Sequence, residues 1–106
     1  EINMEMPVGR ITDFCSGHKC FPPVIAIQGS LNTWVGDLPV HRYGDKYTPH
    51  CCGKKKKNCH VPITITGSPS VYVNDRKTSH IGSLTSCSKQ NIMITGSWSC
   101  WIEAGL

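Results

Sequence analysis

The sequence lacks the features by which membrane proteins and many enzymes are first recognised. No apolar run approaches the length of a membrane span, and the N-terminus carries no signal-peptide pattern. No phosphate-binding Gly-rich loop, nucleophile elbow, paired carboxylates or Ser-His-Asp arrangement occurs, and the acidic residues, 7 in all, are spread among turn-like segments. We therefore expect a soluble chain that is not an enzyme and has no targeting segment of its own.

Residues that favour helices are scarce as well. Leu and Ala are few, no stretch repeats apolar residues at helical spacing, and the 106 residues include 10 Gly and 7 Pro. Val, Ile, Thr and Ser are frequent instead, which is typical of short strands joined by tight turns. The length suits one domain. We predict a single all-β domain over residues 7–106, and we interpret residues 1–6 as an N-terminal tail partly foreign to the native chain.

One pattern occurs twice and then returns in part. Residues 29–45 read GSLNTWVGDLPVHRYGD, and residues 67–83 read GSPSVYVNDRKTSHIGS. A third Gly-Ser opening stands at residues 96–97, and the matching tail half, residues 7–13, stands near the start of the chain. Three β units that are each too small to bury a core must gather around one axis. The repeats therefore predict a compact body with pseudo-threefold symmetry.

Each unit is predicted to open with a short strand and a tight bend. In residues 25–27, 63–65 and 92–94 two Ile flank one other residue, an alternation that predicts one buried face. The Gly-Ser dipeptides that follow predict bends with glycine at positive φ. Gly36-Asp37 and Asn74-Asp75 are hairpin-turn dipeptides.

Histidine and cysteine fall at equivalent places in these units. His18 and His50 each follow the Asp that ends their motif by five residues, and Cys87 follows Ser83 by four. Equivalent positions in three symmetry-related units converge on the axis, so these side chains are predicted to face one metal ion. His60 is our choice for the fourth ligand of a tetrahedral structural site. The reserve candidates are Cys20, Cys51 and Cys59.

The other cysteines and histidines are given ordinary roles. Seven cysteines cannot all pair, and the mixture of Cys with His favours a metal over disulfides alone, in a compartment that is reducing when the protein folds. The remaining cysteines are interpreted as buried or incidental thiols, in preference to a second metal site: Cys15, Cys20, Cys51, Cys52 and Cys100. His41 and His80 are interpreted as surface or hydrogen-bonding residues, and the Lys54–Lys57 run as a solvated loop tip rather than a phosphate-binding patch.

Taken together, these motifs resemble the PAAR-repeat proteins. Pro39-Val40-His41-Arg42-Tyr43-Gly44-Asp45 is similar to the Pro-Ala-Ala-Arg motif followed by Gly-Asp, and the weaker units extend the resemblance over residues 7–102. The third motif, Lys77-Thr78-Ser79-His80, has lost Pro and Arg, and Thr12 replaces a Gly. Those losses indicate that the motif has a structural task.

The resemblance implies a small cone of short strands with zinc, or alternatively iron, near its apex. His18, His50, His60 and Cys87 match the three-His, one-Cys ligand set of the family. The base of such a cone caps the trimeric β-helical spike of a phage tail or type VI secretion system, with one copy on each spike. Such a tip is assembled in the bacterial cytoplasm, contacts the target membrane transiently while piercing it, and is expected to bind no nucleic acid.

Two points stay open at this stage. Trp34, Tyr72 and Trp101 are equivalent in the three units and are candidates for the core or the base, with the core preferred. The alternative functions are a zinc-binding nucleic-acid module, which the Cys/His clusters and lysine run suggest, and a disulfide-rich secreted binding domain.

Overall fold

The computed structural model describes residues 4–52 and 58–105, and within them the chain forms only strands, bridges, bends and turns. The ten strands are β1 (Glu5–Val8), β2 (Trp34–Val35), β3 (Leu38–Pro39), β4 (His50–Cys52), β5 (Asn58–His60), β6 (Tyr72–Val73), β7 (Arg76–Lys77), β8 (Leu84–Thr85), β9 (Ser88–Ile92) and β10 (Ser97–Glu103). The predicted all-β fold is confirmed. Among these residues no helix is long and apolar enough to cross a membrane. The Lys54–Lys57 run lies outside the described residues.

The strands form five antiparallel pairs. Four pairs are hairpins of consecutive strands, β2–β3, β4–β5, β6–β7 and β8–β9, and the fifth joins β1 to β10. In that fifth pair Glu5 lies opposite Glu103 and Met6 lies opposite Ile102. The domain boundary expected at residue 7 therefore lies inside a paired strand.

Two hairpin turns have the backbone geometry that their sequences predict. Gly36 and Asp37 adopt φ angles of 60° and 64°, and Asn74 and Asp75 adopt 55° and 64°. Positive φ at both central residues matches the twist of the flanking strands. These turns connect β2 to β3 and β6 to β7.

The three units place their aromatic residues in the same register. Trp34 lies opposite Pro39, Tyr72 lies opposite Lys77, and Trp101 lies opposite Pro7. The first two pairs belong to continuous hairpins, whereas the third joins the two ends of the described chain. The third unit is thus assembled from the early and late repeat fragments found in the sequence.

A ring of backbone hydrogen bonds links the three motif segments. The Gly9 N–H donates to the Ser79 carbonyl at 2.9 Å, the Ser79 N–H to the His41 carbonyl at 3.0 Å, and the His41 N–H to the Gly9 carbonyl at 3.0 Å. The next equivalent donors make a second cycle: Ile11 to Pro39, Tyr43 to Lys77 and Ile81 to Pro7. Equivalent hydrogen bonds thus join the three motif segments pairwise.

The corner after each motif is capped by a side-chain oxygen. A carboxylate oxygen of Asp13 accepts the Arg10 N–H at 2.8 Å, and one of Asp45 accepts the Arg42 N–H at 2.9 Å. In the third unit the Ser83 hydroxyl accepts the His80 N–H at 3.0 Å. The serine therefore preserves the corner where the charged pair of the motif has been lost.

Glycine is required in the Gly-Ser openings for a different reason from the one predicted. Gly29, Gly67 and Gly96 do not adopt positive φ. A Cβ on them would lie 2.7, 2.8 and 2.8 Å from the carbonyl oxygens of Val40, Thr78 and Val8. Close approach of two backbones, rather than a left-handed bend, excludes a side chain at these positions.

The buried apolar residues form two small clusters. The valine cluster contains Val8, Val40 and Ile102, with half-buried valines from the hairpins packed against it. The tyrosine cluster contains Cys15, Ala26, Tyr47 and Met93. The core is thus divided into an aliphatic cluster and a cluster that contains a phenol, a thiol and a thioether.

The alternation in the opening segments predicts that one face of each segment is buried, but the buried residue is the one between the two Ile. Ala26, Thr64 and Met93, the residues between the Ile, are fully buried, while Ile27, Ile65 and Ile94 are exposed. The middle residue of each segment therefore faces inward, whatever its size.

The expectation that the equivalent aromatics belong to the core is wrong. Trp34, Tyr72 and Trp101 are 56%, 54% and 46% exposed. Their neighbours Val35, Val73 and Ile102 belong to the valine cluster instead. Because successive residues of a strand point to opposite faces, burial of the aliphatic neighbour turns each aromatic ring outward.

The interpretation of His41 and His80 as hydrogen-bonding residues is confirmed, and the surface alternative is wrong. Both are buried. His41 contacts the Gln28 carbonyl and the Thr64 hydroxyl, each at 2.7 Å, and burial lowers the pKa of its imidazole. His80 contacts the Ile81 carbonyl at 2.8 Å and accepts the Gly105 N–H at 2.9 Å.

Candidate metal centre

Three imidazoles and one thiol converge at one place in the fold. The ligand-type atoms of His18, His50, His60 and Cys87 all lie within 4.8 Å of one another. His18 Nε2 is 3.2 Å from His60 Nε2, and His50 Nε2 is 2.6 Å from His60 Nε2. Cys87 Sγ is 3.9 Å from His50 Nε2. The four residues that the sequence selects as ligands are therefore brought together.

The donor set suits one tetrahedral ion, and two of the three short separations have the spacing that such an ion requires. Zinc–nitrogen bonds of about 2.0 Å in a tetrahedron place neighbouring nitrogens about 3.3 Å apart, and a sulfur somewhat farther. The observed separations of 3.2 Å and 3.9 Å agree with this, while 2.6 Å between His50 and His60 is shorter. Imidazole and thiolate suit zinc or iron rather than magnesium or calcium.

Short local structures present each ligand. His50 and His60 lie directly opposite each other in the β4–β5 hairpin. His18 stands in a tight turn in which its N–H and carbonyl bond to the carbonyl and N–H of Phe21 at 3.0 and 2.8 Å. Cys87 lies in the turn between β8 and β9. The ligands thus come from three separate turns and hairpins.

One hydrogen bond fixes the tautomer of the most buried ligand. His50 Nδ1 lies 2.9 Å from the Pro22 carbonyl. A carbonyl oxygen can only accept, so Nδ1 carries the proton and Nε2 presents a lone pair to the cluster. A backbone carbonyl behind a metal-binding histidine orients its ring in this way.

Cys87 is held by a buried polar network. Its Sγ accepts an amide N–H of Asn91 at 3.2 Å and lies 3.2 Å from the Thr85 hydroxyl. The same amide group donates to Thr85 at 2.9 Å, and its oxygen accepts the N–H of Gly17 at 2.8 Å. Asn91 is fully buried. It therefore links the cysteine ligand to the residue that precedes His18.

Phe21 lies against all three histidines. Its ring centroid is 4.7 Å from that of His18, 4.9 Å from that of His50 and 4.3 Å from that of His60. An aromatic ring in this position limits the access of water to the ligand nitrogens. Sequence reasoning did not identify Phe21 or Asn91. At the place equivalent to Asn91 the other units have Val24 and Pro62, so its polar role is not repeated.

The electrostatic environment favours neutral imidazoles. Burial lowers the pKa of His18, and His50, His60 and Lys19 lower it further. Burial and then His50 lower the pKa of His60. Neutral rings carry the lone pairs that a metal needs, so the cluster is prepared for a cation near neutral pH.

The interpretation of Cys20, Cys51 and Cys52 as free thiols is wrong. Cys20 is paired with Cys52 and Cys51 with Cys59. The reserve ligands are therefore engaged in disulfides, and within residues 4–52 and 58–105 the free cysteines are Cys15, Cys87 and Cys100. The second pairing follows from the register of β4 and β5, in which Cys51 lies directly opposite Cys59, whereas the first connects the end of β4 to the turn that contains Cys20.

Comparison with protein families now identifies the class of protein. The family model described as "PAAR motif" matches residues 17–93. That span covers most of the chain and includes all four cluster residues. The chain therefore belongs to the PAAR motif family, as its repeats indicated. No curated protein sequence matches it significantly.

Proposed function

We propose that this protein is the tip of the membrane-piercing spike in a contractile injection machine, a phage tail or a type VI secretion system. The observation that carries the proposal is the coincidence of the PAAR motif match with a convergent three-His, one-Cys cluster. In this proposal the protein is structural and performs no catalysis. It occupies the end of an injection particle after assembly in the bacterial cytoplasm.

A metal at the cluster would be structural. His18, His50, His60 and Cys87 would hold one zinc ion, or alternatively iron, and four protein ligands leave no position for a reactive water. When bound, the ion links segments that are far apart in the sequence and removes freedom from the unfolded chain. A tip loaded during piercing benefits from such a link because few residues are available for a core.

The partner in this proposal is the trimeric β-helical spike protein. The three aromatics in equivalent register, Trp34, Tyr72 and Trp101, are exposed, and so are Trp98 and Leu31, which is 94% accessible. A set of three equivalent apolar side chains suits the threefold end of a trimer, and exposed apolar groups of this size mark interaction surfaces. One chain would cap one spike, and no nucleic acid is needed.

The test is assembly with the β-helical end of the spike protein from the same genome. We expect light scattering to show one chain for each spike trimer. Trp34→Asp and Trp101→Asp should weaken the complex, because each places a charge in the apolar interface. Lys89→Ala is the matched control: Lys89 is also exposed, but it lies in β9 close to the cysteine ligand. No complex with wild type, or equal loss in the control, would contradict the proposal.

A further inference from the structure

Three of the four candidate ligands stand beside a disulfide. His50 precedes Cys51 and Cys52, His60 follows Cys59, and His18 is two residues before Cys20. The Cys51–Cys59 bond joins opposed residues of β4 and β5, next to the opposed pair of His50 and His60. This cross-link therefore sets the separation of two ligands directly.

The second disulfide connects this hairpin to the third histidine. Cys20 lies inside the turn that His18 and Phe21 close, and it bonds to Cys52 at the end of β4. Together the two bonds join every segment that carries a histidine ligand. The Cys87 segment is outside this covalent frame and is held by the Asn91 network instead.

Other restraints on His50 and His60 include the hydrogen bond of His50 to the Pro22 carbonyl and the Phe21 ring, which packs against both imidazoles. Within the described residues β4 and β5 pair only with each other. Asn58 and Cys59 are exposed, and Cys51 and Cys52 are half-buried. Phe21 and Pro22 directly follow Cys20 in the sequence, so the restraints on His50 and His60 depend on the segment that the Cys20–Cys52 bond attaches to the hairpin.

We propose that the two disulfides preform the three-histidine part of the metal site, so that the release of bound metal is slow in the oxidised protein and fast in the reduced one. The inference rests on the proposed metal site. Each disulfide forms when two thiols give up two electrons and two protons to a disulfide-containing oxidant, which becomes two thiols. A phosphine reverses this step: it reduces the disulfide to two thiols and itself becomes a phosphine oxide, with water supplying the oxygen.

The physical reason is the cost of rearrangement. A released metal leaves histidines that, in the oxidised protein, still point to one place and can rebind at once. In the reduced protein the hairpin and the 18–21 turn can separate after the first ligand dissociates. Loss of residues that orient metal ligands typically weakens binding by about 10–100-fold, and we expect a change of that order in the release rate.

The test measures zinc release to an excess of a chromophoric chelator. Wild type, oxidised with glutathione disulfide, should have four of its seven thiols blocked and should release zinc at least about tenfold more slowly than after phosphine treatment. The variant Cys20→Ser/Cys51→Ser/Cys52→Ser/Cys59→Ser should release zinc fast under both conditions. Cys100→Ser is the matched control, since Cys100 is a free thiol against the valine cluster, and it should behave as wild type.

The outcomes separate the two proposals. Equal release rates in oxidised and reduced wild type, or seven free thiols after oxidation, would overturn the inference and leave the metal site intact. Absence of zinc binding in both states would overturn the metal site, and the inference with it. Circular dichroism of the reduced protein in the presence of zinc distinguishes fast release from global unfolding.

Discussion

The valine cluster consists of aliphatic side chains. The tyrosine cluster, by contrast, has polar residues of the candidate metal centre close to it in the sequence. Tyr47 is three residues before His50, and Met93 is two residues after Asn91. The valine cluster is covered by three strand pairs in equivalent register. Beside the tyrosine cluster in the sequence are the β4–β5 hairpin and the 18–21 turn, which two disulfides connect.

The difference shows how a small domain stabilises a part that cannot be filled with apolar side chains. Near the valine cluster, removal of aliphatic area from water contributes to stability. Near the candidate ligands, covalent links and buried hydrogen bonds replace it, and the proposed metal ion would add to them. We therefore expect the two regions to respond to different treatments.

The largest expected effect is the loss of the disulfides. Cys20 and Cys52 are 32 residues apart in sequence and Cys51 and Cys59 are 8 apart. Loop-closure entropy predicts a loss of unfolding free energy of about 4 kcal/mol for Cys20→Ser/Cys52→Ser and about 2.5 kcal/mol for Cys51→Ser/Cys59→Ser. Urea denaturation of the oxidised proteins without metal measures both. A larger loss from the shorter loop would contradict the entropic explanation.

The second prediction concerns the corner that joins the two regions. Asp45 is fully buried and accepts hydrogen bonds from the Arg42 backbone and guanidinium and from Arg76 at 3.0 Å. Asp45→Ala should cost about 3 kcal/mol, because it leaves a partly buried cation without its partner. Asp45→Ser is the matched variant, since Ser83 caps the equivalent corner in the third unit. Denaturation should show a smaller loss for serine than for alanine, and equal losses would exclude capping as the cause.

The third prediction concerns the valine cluster. Val40→Ala should reduce the free energy of unfolding by about 2 kcal/mol, the value expected for a buried valine side chain. The same loss should be found with and without a reductant, since this cluster contains no disulfide. Leu31→Ala is the control and should change stability little, because Leu31 is exposed. A cost that vanished on reduction would show that the two regions do not act independently.

The smallest prediction is a gain in stability. Thr12 has φ of 80° where the equivalent residues Gly44 and Gly82 have 85° and 98°. Thr12→Gly relieves this left-handed strain, and after the extra flexibility of the unfolded chain is subtracted we expect a net gain of about 0.5 kcal/mol. Thr33→Gly, at a position without positive φ, should destabilise the protein. Thermal melts of the two variants compare them directly, and a loss in both would argue against strain at Thr12.

Register accounts for the predictions that the structure supports. The repeated motif predicts three units, and the distances of His18, His50 and Cys87 from the motif ends predict one cluster. These inferences need only the position of a residue within its unit. For the same reason the two hairpin turns and the fragmented third unit could be found in the sequence.

The features that were missed depend on contacts between units or on local shape. The Cys51–Cys59 pairing depends on the register of β4 and β5, and the Cys20–Cys52 pairing depends on the approach of a separate turn to that hairpin. A period of two predicts that one face of a segment is buried but not which face, so it does not reveal the burial of Ala26 in place of Ile27. Likewise the outward rings of Trp34 and Tyr72 depend on which face of a two-residue strand the neighbouring unit covers.

The most direct test of the account is the metal content of freshly prepared protein, measured by elemental analysis. Wild type should contain about one zinc or iron ion per chain. His50→Ala and Cys87→Ala should each lose it, because each removes a ligand from the cluster, while Cys100→Ser should retain it. Wild type without metal, or metal retained in both ligand variants, would contradict the metal centre on which the account of this domain depends.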